Sequence, residues 1–103
     1  MRAVTVAVFK SSPESVTVTG EVDASNAAEF CLALLYAARR GRPPLHVDLG
    51  GVTFMDSTGL RAINDAAQAL AASGSGLVLR NAPRHVLRII EIMGTGETVL
   101  VDA

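Results

Sequence analysis

The sequence predicts an α/β fold: a mixed β-sheet with α-helices packed on it, in the order ββαβαβαβ. Three observations carry this. Two stretches near the start alternate between two sets of residues with a period of two, and a short polar turn separates them. Beyond them, strand-like stretches alternate with segments whose apolar residues recur at helical spacing. The chain has 103 residues, 50% hydrophobic and 18% charged. That suits a single domain over residues 1–103 with one core, and it excludes a disordered chain.

The elements follow in order. Val4, Val6 and Val8 alternate with Thr5, Ala7 and Phe9, and Val16 and Val18 alternate with Thr17 and Thr19, with S-S-P-E between. Two short strands joined by a turn fit this pattern. Gly20-Glu21-Val22-Asp23 breaks the period. From Ala24 the residues Ala27, Phe30, Cys31, Leu34, Leu35 and Ala38 recur at helical spacing, which predicts a helix over about 24–40. Arg39 and Arg40 complement the negative end of its dipole, Gly41 suits a left-handed cap, and Pro43-Pro44 block continuation. Leu45, Val47 and Leu49 alternate with His46 and Asp48 as a third strand, and Gly50-Gly51 reads as the loop after it.

A second helix carries Leu60, Ile63, Ala67 and Leu70 on one side and Arg61, Asn64, Asp65 and Gln68 on the other. Ser73-Gly74-Ser75-Gly76 ends it. Leu77-Val78-Leu79 is a fourth strand, Pro83 opens a third helix with Val86, Ile89, Ile90 and Met93, and Val99-Leu100-Val101 is the last strand. The leading hairpin and the later alternation predict a mixed sheet with polar strand faces partly toward solvent.

Charge and composition narrow the function. Nine Lys and Arg against ten Asp and Glu leave a net charge of −1, so the cationic excess that neutralises phosphates is missing and nucleic acid is not an expected partner. The longest apolar stretch, Phe30 to Ala38, is far shorter than the roughly 20 residues of a membrane span. The N-terminus lacks a signal-peptide segment and Cys31 has no partner for a disulfide, which reads as cytoplasmic. Eight arginines against the single Lys10, with abundant Ala, Gly and Val, suggest a GC-rich bacterial genome.

The chemistry concentrates at Asp56-Ser57-Thr58-Gly59-Leu60, where the third strand gives way to the second helix. Ser57 is placed as the helix N-cap, because serine oxygens accept the orphan N–H groups of a first turn. A phosphate on the same oxygen would bring roughly −1.5 to −2 charges to the positive end of a helix, at little structural cost. Asp56 and Asp23 would oppose it. Gly59 lets another backbone approach closely, or serves internal packing.

V-T-F-M-D-S-T-G-L at 52–60 resembles the phosphorylation motif of bacterial anti-sigma factor antagonists, members of the STAS domain family. The likeness extends over nearly the whole chain. Gly20-Glu21-Val22-Asp23 is similar to the family's G-E-L-D turn, Val47-Asp48-Leu49 to its central strand, and Asn81-Ala82-Pro83 with Val86 and Leu87 to the start of its last helix. The resemblance implies a STAS-like domain with Ser57 as phosphoacceptor, the target of an anti-sigma factor of the serine kinase type. The unphosphorylated form would bind that anti-sigma factor and release the sigma factor. A serine phosphatase would restore it. Asp23, Asp56, Thr58 and Gly59 would border the acceptor and the docking surface. Arg61 would join them, although antagonists commonly carry a small residue there. The same fold also serves as a non-switching subunit of a lipid-transport ATPase complex and as a stress-signalling scaffold. Ser57 favours the antagonist, and no enzyme activity or cofactor is expected.

Catalytic readings fit less well. Aspartic proteases place Gly two residues after Asp, whereas Gly59 stands three after Asp56. A receiver domain could use Asp48, but the acidic pair it needs after its first strand is replaced by Phe9-Lys10-Ser11. Ser57 as a nucleophile would need His46 or His85 as a base, and neither is near in sequence. Two histidines and one cysteine have no metal-ligand spacing. Cys31 reads as core, the Arg84 and Arg88 pair as a solvated helix face, and Gly94-Thr95-Gly96 as a turn.

Overall fold

The computed structural model describes residues 8–11, 15–40, 43–95 and 99–102. Strands β1 (Val8–Ser11) and β2 (Ser15–Val22) precede helix α1 (Ala27–Arg40). Then come β3 (Leu45–Met55), α2 (Ser57–Ala71), β4 (Leu77–Arg80), α3 (Arg84–Met93) and β5 (Val99–Asp102). The five strands lie side by side in sequence order; β1 is antiparallel to β2 and the rest are parallel. The mixed sheet and the order ββαβαβαβ stand as predicted. The expected strand residues 4–7, the turn residues 12–14, Gly41 and Gly96 lie outside the described residues.

Alternation decides which face is buried. Val16, Val18 and Val22 of β2, Leu45, Val47 and Leu49 of β3, Leu77 and Leu79 of β4 and Val99 of β5 share one core with Phe30, Leu34, Leu60, Ile63 and Val86 of the helices. Each fully buried Leu, Ile, Val or Phe contributes about 1.5–3 kcal/mol of transfer free energy. The alternate residues Thr17, Thr19, His46, Asp48, Arg80 and Leu100 occupy the other face and keep some exposure to water.

One expectation about the chain path is corrected. Gly50-Gly51 is not a loop: β3 runs through it to Met55. The pairing with β2 slips between Thr17 and Thr19 and again between Gly20 and Glu21. These irregularities insert extra residues into β3, so Leu49, Val52 and Met55 all stay buried although they are three apart. Glycine is required there, because a Cβ on Gly51 would sit 2.6 Å from Thr19 Cγ2. Strand β3 therefore runs past its first alternating run, which ends at Leu49, as far as Met55, and delivers Asp56 beside the end of β2.

Helix α1 starts three residues later than predicted. The amides of Asn26 and Ala27 donate to Asp23 O at 3.2 and 2.9 Å, closing a turn before the first helical residue. The other helix limits agree with the pattern, with Gly74 (φ +73°) and Gly94 (φ +76°) in the left-handed half of the map just past α2 and α3.

Candidate functional site

Two turns form the site, side by side at the ends of parallel strands. Val22 and Met55 are paired in register, so Asp23 and Asp56 leave the sheet from adjacent strand ends. The Asp56 amide donates to Val22 O at 3.3 Å and ties the turns together. Each aspartate holds its turn in the same way. Asp23 Oδ1 accepts from the Ser25 amide at 2.9 Å and from the Ser25 hydroxyl. Asp56 Oδ1 accepts from the Thr58 amide at 2.9 Å and from the Thr58 hydroxyl. Both are Asx turns, the local structure an aspartate makes with the residue two positions on.

The second turn opens straight into a helix, and here the sequence expectation is corrected. Asp56, not Ser57, is the N-cap of α2. Its backbone is extended (φ −104°, ψ −171°), and its carboxylate takes the amides of both Thr58 and Gly59, at 2.9 and 3.4 Å. These are the N2 and N3 donors that a cap must satisfy, and only the residue before Ser57 can reach them. Ser57 is thus the first residue of the helix. It is exposed, and among the described residues nothing hydrogen-bonds its hydroxyl.

Around Ser57 the predicted residues separate by exposure. Asp23, Asp56 and Thr58 are half-buried, and Arg61 is exposed one helical turn further on. Gly59 is buried: a Cβ there would lie 2.6 Å from Met55 Cγ and 3.0 Å from Val22 Cγ1. The close approach that Gly59 allows is therefore internal, between α2 and the two strand ends. Thr58 and Arg61 also line a groove of about 550 Å³ between α1 and α2, with Ala24 and Cys31 on its other wall. Burial and the Asp65 carboxylate push the Cys31 thiol above its ordinary pKa.

Two residues that the sequence did not single out belong to this region. Asn26 Oδ1 accepts from the Asp23 amide at 3.0 Å while its Nδ2 donates to Glu21 O at 2.8 Å, locking the first turn. An asparagine three after an aspartate, just before a helical period, was the available signal. Phe54 is 45% exposed near the end of β3; reading Gly50-Gly51 as a loop ended the alternating run before it.

Among the described residues neither histidine is placed to act as a base on Ser57. His46 lies nine residues before Met55 along β3, on the order of 25 Å away, with its Nδ1 buried and unpartnered. His85 is exposed in the first turn of α3. Among the described residues no group of three His, Cys, Asp or Glu side chains could hold a metal ion. No helix there is long and apolar enough to cross a membrane.

The mixed sheet, with helices packed on it, presents an exposed serine at a strand-to-helix junction. The family model for the Mlab-type STAS domain matches residues 7–102, and the chain belongs to the STAS domain family. It is 35% identical over 85 residues to an anti-sigma-B factor antagonist of Listeria monocytogenes, covering 82% of this chain and 74% of that protein. It is 28% identical over 88 residues to the anti-sigma-B factor antagonist of Bacillus subtilis, covering 85% and 80%. Its fold is similar to that of the anti-sigma factor antagonist SpoIIAA in its unphosphorylated form, with a TM-score of 0.72 at 17% identity over 95% of this chain and 89% of that one. An anti-sigma factor antagonist from Mycobacterium paratuberculosis gives 0.72 at 24% identity, over 95% and 85%.

Proposed function

We propose that this chain is an anti-sigma factor antagonist whose binding is switched at Ser57. It is a regulatory binding protein rather than an enzyme, a single STAS domain acting in the cytoplasm. In its unphosphorylated form the paired turns, with Asp23, Asp56, Ser57, Thr58 and Arg61 around them and Gly59 beneath, dock on an anti-sigma factor and free the sigma factor. That partner is a serine kinase which phosphorylates Ser57, and a serine phosphatase reverses the step.

The observation that supports this best is the division of labour at the start of α2. Asp56 carries the cap, so the Ser57 hydroxyl is exposed and structurally idle. A residue with no structural duty can be modified without unfolding the domain. The relatives named as anti-sigma-B factor antagonists support the identity of the partner class.

A phosphate at the centre of such a contact would bring a charge that the partner must desolvate or repel. The cost is about 3 kcal/mol, or roughly a hundredfold in affinity. The test is capture from the native cell extract with wild type, Ser57→Ala and Ser57→Asp as baits, read by mass spectrometry. Wild type and Ser57→Ala are expected to capture an ATP-binding kinase-like protein, and Ser57→Asp is expected to lose it. Equal capture by all three would remove the switch. Equal capture of a transporter ATPase would move the protein to the lipid-transport role.

A further inference from the structure

We propose that Arg61 is an internal receptor for the phosphate on Ser57, so that phosphorylation withdraws a cation from the docking surface as well as adding an anion. The inference rests on the reading of Ser57 as phosphoacceptor.

Ser57 and Arg61 are both residues of α2, four positions apart, and both are exposed. Positions i and i+4 lie one above the other on the same helix face. Side chains of a helix lean toward its N-terminus, so the guanidinium of Arg61 is carried back toward Ser57 rather than away from it. An acidic group N-terminal to a basic one is also the favourable order for such a pair. Among the described residues Arg61 makes no ion pair, so no existing partner must be broken. Asp65 is four residues beyond, in the unfavourable order, and has not captured it.

The chemistry suits the geometry. The planar guanidinium presents paired N–H donors that match phosphate oxygens, and the bond is charge-assisted. Thr58 and Gly59 amides cannot take over the role, because Asp56 Oδ1 already occupies both. In the unphosphorylated protein Arg61 lines the groove between α1 and α2 and is exposed, available to a partner carboxylate. Once Ser57 carries a phosphate, Arg61 folds back onto it. A single modification thereby changes two positions of the surface.

The test uses the full chain with phosphoserine encoded at position 57, in wild type, Arg61→Gln and Arg61→Lys, and follows the second phosphate ionisation by phosphorus NMR. The helix N-terminus acts on all three alike, so the difference between them reports Arg61. Wild type should titrate lower than Arg61→Gln by roughly half a pH unit or more, with Arg61→Lys between them. Equal midpoints in wild type and Arg61→Gln would overturn the proposal. A lysine midpoint equal to that of glutamine would leave the guanidinium fork, not the charge, as the receptor. Because the phosphate is installed without a kinase, the outcome does not depend on whether the cell phosphorylates Ser57. A shifted midpoint with unchanged partner capture by Ser57→Asp would keep the receptor and remove the switch.

Discussion

The two turns that end β2 and β3 share an aspartate and a hydroxyl residue two positions on, and are opposites in use. Asp23-Ala24-Ser25-Asn26 and Asp56-Ser57-Thr58-Gly59 each begin with an aspartate that binds the amide and hydroxyl of the residue two further on. They diverge at the second and fourth positions. In the first turn Asn26 fills the fourth position, bonds back to Asp23 and Glu21, and holds the chain out of the helix until Ala27. In the second, Gly59 lets the helix start at once and lie directly on Met55 and Val22. The second position is Ala24 in one and Ser57 in the other, so a hydroxyl is displayed only where the helix begins immediately. The same capping chemistry thus makes one turn a brace and the other a display.

Exchanging the fourth positions should break the contrast most strongly. Gly59→Asn would force a Cβ into the space held by Met55 and bury an amide, and is expected to lose about 2–3 kcal/mol of stability by urea denaturation. The reverse exchange, Asn26→Gly, removes two hydrogen bonds and should lose about 1–2 kcal/mol. If Gly59→Asn were as stable as wild type, α2 would not be seated on the strand ends as described.

The cap assignment gives a smaller effect and a clean sign. Asp56→Ala removes the acceptor of the Thr58 and Gly59 amides and should cost about 1 kcal/mol, whereas Ser57→Ala should change thermal stability by no more than a few tenths. The opposite ranking would return the cap to Ser57. Ser57→Ala is accordingly a neutral background for the capture experiment.

The smallest expected effect lies in the groove between the helices that the two turns launch. Burial and Asp65 both favour the neutral thiol of Cys31 and raise its pKa, so less thiolate is present at pH 8 than on an unhindered cysteine. Iodoacetamide should label Cys31 more slowly than a free thiol at that pH. The rate should climb further on raising the pH, and urea should abolish the difference. Labelling at the free-thiol rate in the folded protein would mean that α1 and α2 do not enclose it.

Much of this was legible in the chain itself. The helical spacing of Phe30, Leu34, Leu60 and Ile63 identified residues that are fully buried, and the alternation at Val16 and Val18 and at Leu45, Val47 and Leu49 identified the buried strand face. D-S-T-G marked the start of α2 within one residue. What the sequence misplaced depends on a neighbour. Gly50-Gly51 looks like a loop until β2 lies beside it, because an irregular pairing exists only between two strands. Asp56 and Ser57 are both good caps by type, and only the direction in which β3 delivers the chain selects between them.

Residue type and period therefore determined the elements, their order and the identity of the exposed serine's segment, because burial of a periodic apolar face is a property the chain carries locally. Tertiary structure decided which residue caps α2, which glycine is packed and which hydroxyl is left idle. Those outcomes hang on the register of β2 against β3 and on contacts of a few ångströms between segments more than thirty residues apart in the chain, which no local pattern encodes.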